Sequence, residues 1–137
     1  MTAKEYLSQA YRVDRMITAK LQQVQSLREL ATRATSTMSD AHVGGSRNNH
    51  RMEDIIAKMI DLENEINGDI DCLMDLKRGI VAAIKSVPDP DHRVLLELRY
   101  LCFRSWGEIA IDIHYSKQRV FQLHNDALQK IRIPPTD

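Results

Sequence analysis

Proline is missing from the first 87 residues of this chain: its four prolines are Pro88, Pro90, Pro134 and Pro135. A proline inside a helix removes a hydrogen bond and clashes with the preceding turn, so its absence leaves that stretch free to be helical throughout. The proline pairs then read as punctuation, one before a short C-terminal region and one at its end. Of five glycines, Gly44 and Gly45 fall together in a polar stretch from Ser36 to Asn49. That stretch reads as a loop between two long helices.

The apolar periodicity supports two helices. Thr2-x-x-Glu5 reads as a capping box opening the first. Its stripe follows heptad spacing at Leu7, Ala10, Ile17, Leu21, Val24 and Ala31, with Asp14 and Arg28 as polar exceptions. The second begins near Asn49, with Glu53 and Asp54 in its first turns, where the helix dipole favours acids. Its stripe is Met52, Ile56, Met59, Ile66, Ile70, Leu73, Ile80, Ile84 and Val87, interrupted by Glu63 and Lys77. That is a coiled-coil pattern over roughly 55 Å of helix. The exceptions share one antiparallel register, because Arg28 with Glu63 and Asp14 with Lys77 both add to 91. The same register sets Leu7 against Ile84 and Leu21 against Ile70, with its midpoint at Gly45-Ser46. A buried charge is costly unless matched, so two opposite-sign matches favour a helical hairpin within one chain. A swapped or intermolecular antiparallel pair would satisfy the same register.

Composition narrows the class further. Hydrophobic residues make up 43%, charged residues 28% and aromatics 5%, which suits a soluble helical chain and not a β-sandwich or a disordered tail. No run approaches the ~20 apolar residues of a membrane span. The N-terminus has no apolar stretch after a basic segment, so no signal peptide is read there. Cys72 and Cys102 lack metal or redox spacing and read as reduced thiols of a cytoplasmic protein. Glu63-x-Glu65-x-Asn67-Gly68 mimics the start of a calcium loop, but its twelfth position is Met74 and the heptads run through it. The histidines make no i, i+4 pair, and there is no phosphate-binding glycine loop or nucleophile–base constellation. Neither a metal, a cofactor nor an enzyme activity is expected.

The net charge of zero hides a pattern. Residues 3 to 36 carry six Lys/Arg against three Asp/Glu, and residues 50 to 87 carry five against eight. These segments can neutralise each other. Residues 116 to 133, with Lys117, Arg119, Lys130 and Arg132 against Asp126 alone, remain as a free basic surface.

Past Pro88 the spacing predicts three shorter helices. Asp89-Pro90 supplies a cap and a proline at the first helical position, opening a helix through Leu101. Ser105-x-x-Glu108 is a second capping box, opening a helix through Ile113. His114-Tyr115 makes a turn, and Ser116 caps a final helix through about Arg132. A helix-turn-helix needs a small residue where its helices cross, a tight turn four residues on, and a packing pair in the second helix. Ala110, His114, and Val120 with Leu123 meet those demands, and Ile109 and Ile113 complete the inner face. A small core from Leu95, Leu98, Ile109, Ile113, Val120, Leu123 and Leu128 is expected. With Val120, Leu123 and Ala127 inward, Lys117, Gln118, Phe121, Gln122 and Asn125 face outward.

These residues carry a resemblance to region 4 of bacterial sigma factors. Val94-Leu95-Leu96-Glu97-Leu98-Arg99-Tyr100-Leu101 resembles the helix before that family's helix-turn-helix, and Ser105-Trp106-Gly107-Glu108-Ile109-Ala110 the next helix, which opens the motif. Tyr115-Ser116-Lys117-Gln118-Arg119-Val120-Phe121-Gln122-Leu123, with Ala127-Leu128-Gln129-Lys130-Ile131-Arg132, resembles its recognition helix and basic tail. The match covers about residues 88 to 134 and departs at His114, where glycine is common. The whole layout is similar to small phage and prophage proteins of Gram-positive bacteria, some of them described as transcriptional regulators.

The resemblance implies a sequence-specific DNA-binding transcription regulator of phage type. Lys117, Gln118 and Gln122 would then read bases in the major groove, where glutamine suits an adenine edge and lysine a guanine edge. Arg99, Ser116, Arg119 and Lys130 would hold phosphates, which position the protein without specifying sequence. The expected fold is all-α, a long antiparallel helical hairpin over residues 1–87 for association and a three-helix DNA-binding module over residues 88–137. Expected partners are double-stranded DNA, RNA polymerase, and a second copy through the hairpin. Two other readings fit the same residues: a small terminase-like DNA-packaging component, and a protein-only module docking on RNA polymerase.

Overall fold

A computed structural model describes residues 1–40 and 45–135, which form five α-helices and no strand. The fold class is all-α, as the proline distribution allows. The helices are α1 (Ala3–Asp40), α2 (Gly45–Lys85), α3 (Pro90–Tyr100), α4 (Trp106–Ile113) and α5 (Lys117–Lys130).

The two long helices extend further than expected. α1 continues to Asp40 and α2 starts at Gly45, so most of the stretch from Ser36 to Asn49 is helical, while the rest of the expected loop, residues 41–44, lies outside the described residues. Polar side chains alone do not end a helix. Thr32 and Thr35 stay within α1 by donating their hydroxyls to the carbonyls of Arg28 and Ala31, at 3.0 and 2.9 Å. The first capping box is as expected: the Glu5 amide donates to Thr2 Oγ1, and the Thr2 amide to Glu5 Oε2, both at 3.1 Å.

By packing, the chain divides into two compact units, Met1–Asp14 with Cys72–Asp137, and Arg15–Asp71. In the first, one core joins Leu7 and Ala10 of α1, Ile80, Ala83 and Ile84 at the end of α2, Val87 just past it, and Leu95, Leu96, Ile109, Val120, Leu123 and Ala127 of the three short helices. The buried residues of α3, α4 and α5 are thus continuous with those of the long helices, and Leu98, Ile113 and Leu128 pack partly buried against the shared core. Gly79 admits the Tyr6 side chain, since a Cβ there would stand 2.5 Å from the Tyr6 hydroxyl. Past α5, the Arg132 amide donates to Ser86 Oγ at 3.1 Å, tying the C-terminal segment to the end of α2.

The second unit is thinner. Among the described residues its buried apolar side chains are Ile17, Val24 and Ile66. Lys20 Nζ donates to Asp69 Oδ2 at 2.6 Å, which raises the lysine pKa, chiefly through that hydrogen bond. The expected burial of Arg28 against Glu63 is not found, for both are exposed. Leu21, Ile56 and Ile70, expected in the buried stripe, are 53%, 48% and 40% exposed. At heptad spacing all five stand one column to the side of Ile17, Val24 and Ile66.

Candidate functional site

α4 and α5 are fixed by local chemistry at each end. Ser105 Oγ accepts from the Glu108 amide at 3.2 Å, and Glu108 Oε1 accepts from the Ser105 amide at 3.4 Å, completing the second capping box. Arg104 donates to the other Glu108 oxygen at 3.0 Å, and that bond is the largest cause of the lowered Glu108 pKa. α4 ends at His114, which is left-handed at φ 60 and ψ 39. The Tyr115 amide reaches back to the Ala110 carbonyl at 3.1 Å and the His114 amide to Ile111 at 3.4 Å, a Schellman closure made here without glycine. Ser116 then caps α5, its Oγ accepting from the Arg119 amide at 3.2 Å.

The expected inner face is largely as read. Ile109, Val120 and Leu123 are buried, while Ala110 and Ile113 are half-buried. Outward, Lys117, Gln118, Phe121, Gln122 and Asn125 are all exposed. The Lys117 stem lies over the first turn of α4, where a Cβ on Gly107 would meet its Cε at 3.5 Å. Arg119 Nη1 donates to Gln122 Oε1 at 3.3 Å, so two residues assigned different roles meet on the same face. Lys130 is exposed in the last turn of α5. Arg99 is more engaged: its guanidinium stacks 4.3 Å from the Trp106 ring centre and donates to the Arg104 carbonyl at 3.0 Å.

Sequence reasoning missed what lies beneath this face. His124 is 5% exposed and shares a 2.6 Å hydrogen bond between its Nε2 and the Tyr100 hydroxyl. Trp106 packs edge-on against both His124 and Phe121, with ring centres 4.6 and 5.3 Å apart. Burial, then the charges of Lys4 and Arg99, push the His124 pKa down to about 4, and burial raises that of Tyr100 to about 12. The pair is therefore neutral near pH 7. Its signal was present, because His124 stands four residues after Val120 and three before Ala127, on the inward stripe. Phe103, left-handed at φ 58, was also unforeseen; its ring sits beside Tyr11 at 5.6 Å and under the Lys77 ammonium at 5.0 Å.

An adjoining cleft of about 260 Å³ includes Ser8, Tyr11 and Tyr100 in its lining, but its charged groups Arg99 and Glu108 are already bonded within the protein. Among the described residues no group of His, Cys, Asp or Glu could hold a metal ion, and no helix is long and apolar enough to cross a membrane. Cys72 and Cys102 are free and exposed. Comparison with known protein families, curated proteins and solved structures finds no match to this chain.

Proposed function

We propose that α4 and α5 form a DNA-reading helix-turn-helix resembling sigma factor region 4, and that the protein is a transcription regulator of phage type. In this reading α1 and α2 make an antiparallel hairpin that serves association. The observation that carries it is the face of α5: a capped helix, held on α4 by the left-handed turn at His114, exposes Lys117, Gln118 and Gln122 in its first two turns. A recognition helix offers its N-terminal residues to base edges in this way. Arg119 and Lys130 flank that face with charge suited to phosphates, and Ser116 sits at the helix N-terminus, where backbone amides also favour a phosphate. Arg99, stacked on Trp106, serves the fold first and a phosphate second.

A module of this size buries only about 600–1,000 Å² on DNA, so association with another copy or with RNA polymerase is part of the proposal. Ile111 at 75% exposure and Tyr115 at 43% favour a protein contact beside the reading face, as docking on a polymerase would require.

The test is selection of bound duplexes from a random library by the full chain, at fixed salt. Lys117→Ala and Gln122→Ala are each expected to relax one base pair of the resulting consensus by about 1–3 kcal/mol, whereas Lys130→Ala weakens all sequences alike. Absence of any enriched sequence sinks the reading. Retention of polymerase without DNA would favour the docking module, and a large ring in solution the packaging component.

A further inference from the structure

One flank of the unit Arg15–Asp71 carries exposed aliphatic side chains. In a two-helix pair the columns beside the seam are ordinarily polar, since only the seam is covered. Here the column next to Ile66 holds Ile56 and Ile70, and the next one holds Ile60, at 48%, 40% and 52% exposure. The matching column of α1 holds Leu21, at 53%. On this flank four half-exposed aliphatics accompany the buried Ile17, Val24 and Ile66 of the described residues, while Met16 and Leu30, also half-exposed, share another column of α1. The same columns carry Arg28 and Glu63, both exposed and without an ion pair among the described residues.

Charge indicates the occupant. Residues 15–35 of α1 hold four Lys/Arg against one Asp/Glu, and residues 49–71 of α2 hold two against seven. A helix that covers this flank must meet a basic helix and an acidic one side by side. A second copy, turned by a two-fold axis, offers the same two helices in the reverse order, so that each basic helix lies between two acidic ones. The opposite flank is less suited: it already pairs Lys20 with Asp69, and its open cleft of about 480 Å³ is edged by Lys58, Asp61 and Glu65.

We propose that the flank bearing Leu21, Arg28, Ile56, Ile60, Glu63 and Ile70 is a two-fold interface with a second copy of this chain, α1 of each lying on α2 of the other and Arg28 opposite the other copy's Glu63. The proposal rests on the pairing of α1 with α2 and not on the DNA reading; its test concerns mass alone, so either can fail without the other.

Sedimentation of the full chain is expected to give a dimer, and Ile60→Glu a helical monomer. Arg28→Glu alone and Glu63→Arg alone each place two like-charge pairs in the dimer and should weaken it about tenfold or more. Mixing the two variants should restore the wild-type affinity as a heterodimer, because both cross-copy pairs then regain opposite charge. An ion pair within one chain could not respond to mixing. A wild-type chain monomeric at ~100 μM, a stoichiometry other than two, or no recovery on mixing overturns the proposal.

Discussion

His124 shows how one residue can couple the candidate reading helix to its support. Buried beside Tyr100 and Trp106, it is held neutral, with its pKa pushed down to about 4 from an ordinary 6.5. A folded-state pKa below the unfolded one means that the unfolded chain takes up the proton first. Stability is therefore complete above pH 6.5, falls as pH drops from 6.5 towards 4, and levels below that as far as this group is concerned. The loss is about 3 kcal/mol at most. Thermal melts from pH 7.5 to 4 should record the decline, and His124→Phe should flatten it over this window. An unchanged slope in the variant would assign the pH dependence to other groups. The residue was identifiable in the sequence as a member of the inward stripe. Its partner was not, because Tyr100 lies 24 positions away on another helix.

At the scale of elements, the short helices depend on their ends more than their length. α4 has only eight residues, too few to persist without caps and packing. Ser105→Ala removes the acceptor for the Glu108 amide and frees the Glu108 side chain from the box. It is expected to destabilise the protein by about 1 kcal/mol, measured by urea denaturation, with an unchanged denaturant slope. A loss near zero would mean that Trp106 and Ile109 hold α4 by packing alone. The caps were legible because serine and glutamate three residues apart announce their own hydrogen bonds. The left-handed turn at Phe103 was not, since a bulky residue rarely adopts it; there the Cys102 and Arg104 amides reach back to the Glu97 and Leu98 carbonyls, and the ring lies beside Tyr11 and Lys77.

For the whole molecule, the core settles which segments fold together. Leu7, Ala10, Ile80, Ala83, Ile84 and Val87 lie in the same cluster as the apolar residues of α3, α4 and α5. A fragment from Pro88 to Asp137 loses all six, and at about 50 residues it has little margin. It is expected to be largely unfolded by circular dichroism, where the full chain is helical. A fragment that keeps its helices and melts cooperatively would show that the short helices suffice for a core. Pro88 follows the end of α2, and the compact unit that holds the short helices also takes in Met1–Asp14 and the end of α2 from Cys72.

By itself the sequence determined the all-helical class, the succession of five helices, the N-terminal caps of α1, α3, α4 and α5, and the inward and outward faces of α5. These follow from local rules: proline exclusion, serine and threonine caps, and a period of 3.6 residues. Only the tertiary structure decided which side of each long helix is covered. Heptad spacing sets Leu21, Arg28, Ile56, Glu63 and Ile70 one column from Ile17, Val24 and Ile66, yet only the latter three are buried. It also decided that Lys20 meets Asp69, and that His124 meets Tyr100. Pairings of that kind depend on the relative rotation of packed helices, a quantity that a one-dimensional pattern does not contain.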